Sequence, residues 1–304
     1  MKKVLLAFAI CFSSVGFAQI IDVTSINEVN IPTSVNTGYS TMSPNGDYLL
    51  VTDFGRNGLH KYDLTSGKIS TITSAQGAGY DVKILEDGNT VIYRETSFTK
   101  DHLKKTALKS STLSDGAVAT IVEATRDLQG VATKNGAIYA VKNGKLSTKS
   151  FSGRKVISTP VMSIKNGQLM ITKGSKTRTF SPNGNEVRYI WPSVSPDGTR
   201  VLYYVTGVGA FVCNIDGSNI TSLGIVRAPK WYNSETIIGM EDVNGEYDTV
   251  KSSIIAVSID GNIRQTLTDS SVIAMYPTAS AQGDKISFTT VDGKAYIINI
   301  NVKK

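Results

Sequence analysis

The chain has few of the side chains that most often carry chemistry. Its 304 residues include two histidines, two cysteines and two tryptophans. Cys11 lies in a segment expected to be removed, which leaves Cys213 alone. A single cysteine makes no internal disulfide and no cysteine-pair zinc site. Cys213 sits between Val212 and Asn214 in a run that reads as a strand, so it is expected to be a small buried hydrophobe rather than a reactive thiol. His60 and His102 fall in loops of adjacent repeats. Together they could bind a metal or do acid–base work. However, no His/Cys/Asp/Glu spacing supplies a third ligand, and two solvated loop histidines are the expectation. The sequence contains no Gly-x-Ser-x-Gly elbow and no Walker or dinucleotide glycine motif. No catalytic residue, metal or cofactor is therefore assigned.

Charge of one sign is not concentrated either. The net charge is +7, but the Lys and Arg residues are scattered, which describes a solvated surface and not a nucleic-acid interface. Glu241-Asp242-Val243-Asn244-Gly245-Glu246-Tyr247-Asp248 is the densest acidic stretch. Its oxygens alternate as calcium ligands can, but the glycine comes too early for an EF-hand. A solvated hairpin with an Asn-Gly turn is the simpler reading.

The first residues read as a secretory signal. Lys2 and Lys3 form a positive start, Val4 to Phe12 is apolar, and Ser13 to Ala18 is rich in small residues. Cleavage is expected between Ala18 and Gln19, which removes two of the seven net charges and leaves +5. The apolar run is too short to span a bilayer, and no later stretch is apolar enough to do so. Residues 19–304 are expected to form a single domain.

What is abundant is a repeat. From Tyr39, a strand ends at Met42, Ser43-Pro44-Asn45-Gly46-Asp47 turns, and Tyr48 to Thr52 is a β-rich strand. Gly55 to Gly58 turns again, Leu59 to Leu64 is a third strand, and Lys68 to Ile72 a fourth. Trp191 to Leu223 matches this unit strand for strand, with Ser195-Pro196-Asp197-Gly198-Thr199 at its first turn. Asn-Gly and Pro-Asp-Gly supply the backbone angles that tight reversals need. The same beat recurs with first turns at Gly88, Gly136, Gly167, Asn233-Ser234 and Gly283. Asp101 to Lys109 comes nearest to a helical period but fits a strand nearly as well.

Seven units begin near Tyr39, Tyr80, Leu128, Val161, Tyr189, Ala228 and Tyr276. This periodicity predicts an all-β propeller of seven four-stranded blades. The third and fourth units are short, and merging them would give six. The last unit has three strands, and Ile20 to Ile31 has strand character without a unit of its own. That segment is expected to supply the missing outer strand and close the ring, so that no edge is left open.

Ser43-Pro44-Asn45-Gly46-Asp47, Ser195-Pro196-Asp197-Gly198 and the looser Ser280-Ala281-Gln282-Gly283-Asp284 resemble the Ser-Pro-Asp-Gly repeat of TolB-type propellers. Arg264 to Asp269 resembles that family's end-of-blade Leu-Thr. Units two, three and four keep the first-turn glycine and lose the Ser-Pro. Ser181-Pro182-Asn183-Gly184 has the right letters but falls late in unit four, where a third-to-fourth-strand turn belongs. The resemblance spans nearly all of residues 19–304. It implies a non-catalytic scaffold in the periplasm, or alternatively outside the cell, that binds an envelope protein or a peptide entering the channel.

In propellers, the loops leading into each blade and the second-to-third-strand loops share one face, which commonly holds the binding site. Here those loops are expected to place Tyr80, Tyr189, Trp191, Lys230, Trp231 and Tyr276 around the mouth, with Arg56, His60, His102 and Arg227 close by. Aromatic faces beside cations suit a peptide, an acidic chain end or a sugar. Each aromatic could instead start an inner strand and pack between blades. A carbohydrate-binding or lyase-like propeller is the alternative function. Convergence of Trp191, Trp231 and Tyr276 on one rim would favour it.

Overall fold

The computed structural model describes residues 19–151, 153, 159–244 and 249–302. The leader and the second half of the acidic 241–248 stretch lie outside the described residues. The described chain is all-β and forms seven separate antiparallel sheets. They are numbered here as blades one (39–73), two (83–125), three (128–150), four (161–179), five (189–224), six (227–266) and seven (274–300). Units three and four form two sheets, which decides for seven blades over six. The helix-like run near Asp101 enters the strand Lys104–Thr112.

The ring closes as expected. The strand Val23–Val29 pairs antiparallel with Ala295–Ile300, from Val23 opposite Ile300 to Val29 opposite Ala295, with a register shift between Val23 and Ser25. It becomes the outer strand of blade seven. Its approach is fixed by Gln265, whose Oε1 accepts the N–H groups of Ile20 and Ile21 at 2.8 and 2.9 Å and whose Nε2 donates to Ile21 O at 2.7 Å.

The Ser-Pro-Asp-Gly turn has a clear physical basis. Ser43, Ser195 and Ser280 are buried. Each hydroxyl accepts the N–H of the residue five positions on, namely Tyr48, Arg200 or Lys285, at 2.9–3.2 Å. Each also donates to the turn's aspartate, Asp47, Asp197 or Asp284. The glycine N–H returns to the serine carbonyl, and Gly46, Gly198 and Gly283 have φ of 70°, 81° and 74°. The turn therefore satisfies its own polar groups while the flanking strands bury apolar ones.

The core is distributed around the ring. Seven clusters of buried apolar side chains occupy the junctions between neighbouring blades. Ile238, Ile254, Ile286 and Phe288 fill the junction of blades six and seven. Tyr189, Tyr203 and Phe211 fill that of four and five. Ala137, Tyr139, Val141 and Val161 form the smallest cluster, between three and four. Burying a side chain of this size contributes roughly 1.5–3 kcal/mol, so each junction stabilises only the two blades that flank it.

Blades three and four depart from the four-stranded pattern. Each has three strands among the described residues, and the other five blades have four. Phe151 N donates to Gly136 O, so blade three ends beside its own first turn. Blade four's first turn meets the start of blade five, where Tyr189 N donates to Gly167 O at 2.8 Å and Thr206 N to Arg188 O at 2.9 Å, and beside its second turn Thr177 Oγ1 donates to Gly144 O of blade three at 2.7 Å. The first turns of blades two, three and five cluster at the other end. There the Glu86 carboxylate accepts the N–H groups of Asn135 and Gly136, and Lys134 Nζ donates to Pro196 O. Ser181 to Gly184, expected to precede a fourth strand, instead leads straight into blade five and packs on the tyrosines there. Tyr189 Oη donates to Gly184 O at 2.7 Å, and Tyr203 Oη to Asn183 Oδ1 at 2.6 Å.

Candidate binding site at the mouth of the ring

Backbone bonds hold the lead-in loops against the second-to-third-strand turns. Gly79 N donates to Arg56 O, Thr96 N to Gln76 O, and Gly38 N to Thr52 O. Arg56 has φ of 60° in its turn, and its guanidinium lies 3.6 Å from the centre of the Tyr39 ring. Tyr39 in turn packs against Tyr276 at 4.7 Å and Phe54 at 6.5 Å. Arg56 and Arg94 also lie 5.7 and 5.2 Å from the Tyr80 ring. Tyr80 is 57 % exposed and available to a ligand.

A charged layer lies beneath these rings. Asp81 pairs with Lys83 at 2.5 Å and Arg94 at 3.0 Å. Burial works to raise the Asp81 carboxyl, but Lys83, Arg94 and Lys230 overcome it and hold it at about 2. Lys230 sits among this group. Burial within the ring pushes its ammonium down to about 8, Lys83 and Arg56 push the same way, and Asp81 opposes them. Lys230 still meets water in the channel, and Asp81 keeps 34 % of its side chain exposed. Solvent therefore screens these charges.

Blade six adds Arg227, whose Nε is 2.8 Å from Asp242 Oδ1. The distance is that of an ion pair, yet neither atom has a partner in hydrogen-bonding geometry. Asp242 is 4 % exposed, so this is a buried carboxylate held mainly by charge. Burial, then Tyr39, push the Tyr276 phenol up, Arg56 pulls it down, and Asp242 adds to the rise.

Five of the ten candidate residues therefore join one constellation: Arg56, Tyr80, Arg227, Lys230 and Tyr276. The other five lie elsewhere. Tyr189 is fully buried in the core of blades four and five. Trp191 packs edge-on against Tyr204 in blade five at 5.4 Å. Trp231 packs on the core between blades five and six, its Nε1 buried without a partner. His60 Nδ1 bonds Thr71 Oγ1 at 3.1 Å on the outer strand of blade one, where burial pushes its titration down. His102 lies exposed in the turn before Lys104–Thr112, with φ of 59°. Among the described residues no group of three or more His, Cys, Asp or Glu side chains could hold a metal ion. Cys213 is buried, and burial pushes its thiol up to about 12.

Sequence reasoning missed Tyr39, Asp81, Lys83, Arg94 and Asp242. Arg94 did leave a signal, as a cation inside the strand run Thr90-Val91-Ile92-Tyr93. A second missed feature is backbone strain. Trp191, Ala228 and Tyr276 have φ of 52°, 46° and 54°. Each precedes a proline, and the inner-strand register shifts at each of them. Left-handed angles at non-glycine residues cost about 1–3 kcal/mol each. Bulges of this kind re-aim side chains beside functional sites, and Tyr276 is turned onto Tyr39 in this way.

No family model and no curated protein matches the chain. Solved structures do. A TolB protein from Agrobacterium tumefaciens superposes with a TM-score of 0.57 at 15 % identity, covering 91 % of this chain and 97 % of that one. A chain of the mitotic checkpoint complex gives 0.54 at 10 % identity, covering 99 % and 100 %. TolB from Acinetobacter baumannii gives 0.50 at 14 % identity, covering 86 % and 62 %. At such identities these likenesses establish the fold, a seven-bladed β-propeller scaffold, and nothing more specific. No helix among the described residues is long and apolar enough to cross a membrane.

Proposed function

We propose that this chain is an exported, non-catalytic propeller that holds an acidic peptide segment of an envelope protein at the mouth of its ring. The observation that carries the reading is the convergence of Arg56, Arg94 and Lys230 with the rings of Tyr39, Tyr80 and Tyr276. Cations seated on aromatic faces attract carboxylates, and the faces cover the apolar stems between them. The reading includes removal of residues 1–18 as a signal, residence in the periplasm, and residues 19–304 as one domain.

The carbohydrate reading is weaker on its own criterion. Trp231 packs on the core between blades five and six, and Trp191, though 40 % exposed, packs edge-on against Tyr204, whereas Tyr276 packs on Tyr39. A lyase reading would also require His60 and His102 to act together, and His60 is engaged with an outer strand.

The test is a pull-down from envelope extract with residues 19–304 as bait, with bound material analysed for protein and sugar. A stoichiometric protein partner, lost on Arg56→Ala with Lys230→Ala while the melting temperature holds, supports the reading. Glycan without protein, or a partner indifferent to both substitutions, overturns it. Mass spectrometry of the exported chain checks that it begins at Gln19.

A further inference from the structure

A second region of the molecule is built for anions. A cavity of about 1350 Å³ opens among blades two to five, bounded by Lys83, Lys134, Lys173, Lys176 and Arg178. Three carboxylates share it, Glu86, Asp197 and Asp216, but each is committed to a turn. Glu86 takes the N–H groups of Asn135 and Gly136. Asp197 takes Ser195 Oγ and Thr199 N. Asp216 takes the N–H and hydroxyl of Ser218.

Three of the cations occupy one face of one hairpin in blade four. Lys173 is directly opposite Lys176 across the turn. Arg178 follows two residues on, so it shares that face. Like charges directly opposite one another destabilise a hairpin. Among the described residues none of the three has a carboxylate within 4.0 Å. Arg178 lies within electrostatic reach of the Asp216 carboxylate and over the Phe180 ring at 5.6 Å, so Lys173 and Lys176 are the pair of this face left with least compensation beside the cavity.

The chemistry of the wall narrows the class. No aromatic side chain lines the cavity, so a sugar ring finds no stacking platform there, while Val131, Met162, Ile171 and Val194 offer an apolar strip. A carboxylate brings one charge and two oxygens. A phosphoryl group brings nearly two charges and three acceptor oxygens, which matches two ammonium groups and a guanidinium on one face.

We propose that this cavity binds a small soluble phosphorylated ligand, its phosphoryl group seated on Lys173, Lys176 and Arg178 and a second anionic group reaching Lys134. The proposal stands apart from the peptide reading, because of the mouth residues Lys83 alone reaches this wall and Arg56, Tyr80 and Lys230 do not line it.

The experiment is calorimetric titration of residues 19–304 with inorganic pyrophosphate at low ionic strength, where charge pairing is least screened. Saturable binding is expected, weakened at least tenfold by Lys173→Ala with Lys176→Ala and unchanged by Arg56→Ala with Lys230→Ala. Lys176→Gln alone, at an exposed position, serves as the milder variant and should weaken binding several-fold. No saturable binding by the parent chain overturns the proposal, as does double-variant binding within twofold of the parent. A pentaglutamate peptide that binds more tightly, and is lost in the same variants, overturns the phosphoryl assignment. Sedimentation with phosphatidic-acid vesicles that pyrophosphate does not displace overturns the soluble ligand.

Discussion

The junction of blades seven and one and the junction of blades three and four solve the same problem with different means. At the first, the chain's two ends meet, and side chains reinforce the closure. Ser40 Oγ donates to Ser287 Oγ, Thr289 Oγ1 to Gly38 O, Met42 N to Thr278 Oγ1, and Ala281 N to Pro44 O. At the second, a four-residue apolar cluster joins two three-stranded sheets. Gly130 permits close approach there, since a Cβ at that position would stand 2.6 Å from Met162 O. The seam is where a ring can open, so it carries polar pins that specify one register. The opposite side is continuous in sequence and can be thinner, and that is where the cavity lies.

The comparison is broken most directly by truncating one core side chain on each side. Leu49 is fully buried in the cluster between blades seven and one. Leu49→Ala is expected to cost about 2–5 kcal/mol. Val161, also fully buried but in the small cluster of blades three and four, should cost about 1–2 kcal/mol as Val161→Ala. Urea midpoints measure both. An equal or larger loss at Val161 would show that the thinner junction carries as much of the stability as the seam.

Gln265→Ala sharpens the account of closure. It removes three hydrogen bonds that seat Ile20 and Ile21 before the closing strand, at an expected cost of about 2 kcal/mol. Hydrogen exchange should rise first in Val23–Val29 and in Ala295–Ile300. Exchange that rises evenly around the ring would mean that closure does not depend on this residue.

These contrasts also explain what could be read in the residues beforehand. The beat of blades one, five and seven was legible because the serine, aspartate and glycine of their first turns satisfy one another locally, so the turn is written in five consecutive letters. Closure was legible because a three-stranded last unit and an unassigned β-rich start complement each other. The contact of blade four's first turn with the start of blade five was not, because Gly167 looks like any first-turn glycine and nothing local to it marks Tyr189 as its partner. The mouth was half legible. Loop position located Arg56, Tyr80 and Lys230, but Tyr189 has the same loop context and is drawn into the core by Tyr203 and Phe211. The left-handed angles at Trp191, Ala228 and Tyr276 were hidden because a residue before proline ordinarily takes an extended conformation.

A smaller effect separates the mouth from the rest of the surface. The folded pKa of Lys230, about 8, lies below its ordinary value of 10.5. The folded chain thus holds this proton less tightly than the unfolded chain does, and this residue's contribution to stability rises as pH climbs from about 8 toward 10.5. Binding runs the other way. An acidic peptide at the mouth should lose affinity several-fold as pH rises through about 8, because the ammonium that attracts it is discharged. Lys230→Arg should flatten that profile while keeping affinity at pH 7. Fluorescence anisotropy of a labelled acidic peptide across pH 6.5–9.5 is the measurement, and a flat profile in the parent chain would remove Lys230 from the site.

The smallest expected effect tests whether the blade-four hairpin is electrostatically frustrated. Lys173→Glu replaces a like-charge cross-strand pair with an opposite-charge one facing Lys176. Both positions are exposed, so the substitution leaves the core untouched, and the gain should be about 0.2–1 kcal/mol. It should shrink with added salt, as exposed pairs do. The sign matters more than the size. A stabilised hairpin that has lost pyrophosphate binding would mean that the native lysine is retained at a cost to the fold, as a ligand site requires. A neutral or destabilising result would mean that Lys173 and Lys176 already avoid each other in solution, and the charge triplet would no longer argue for a ligand.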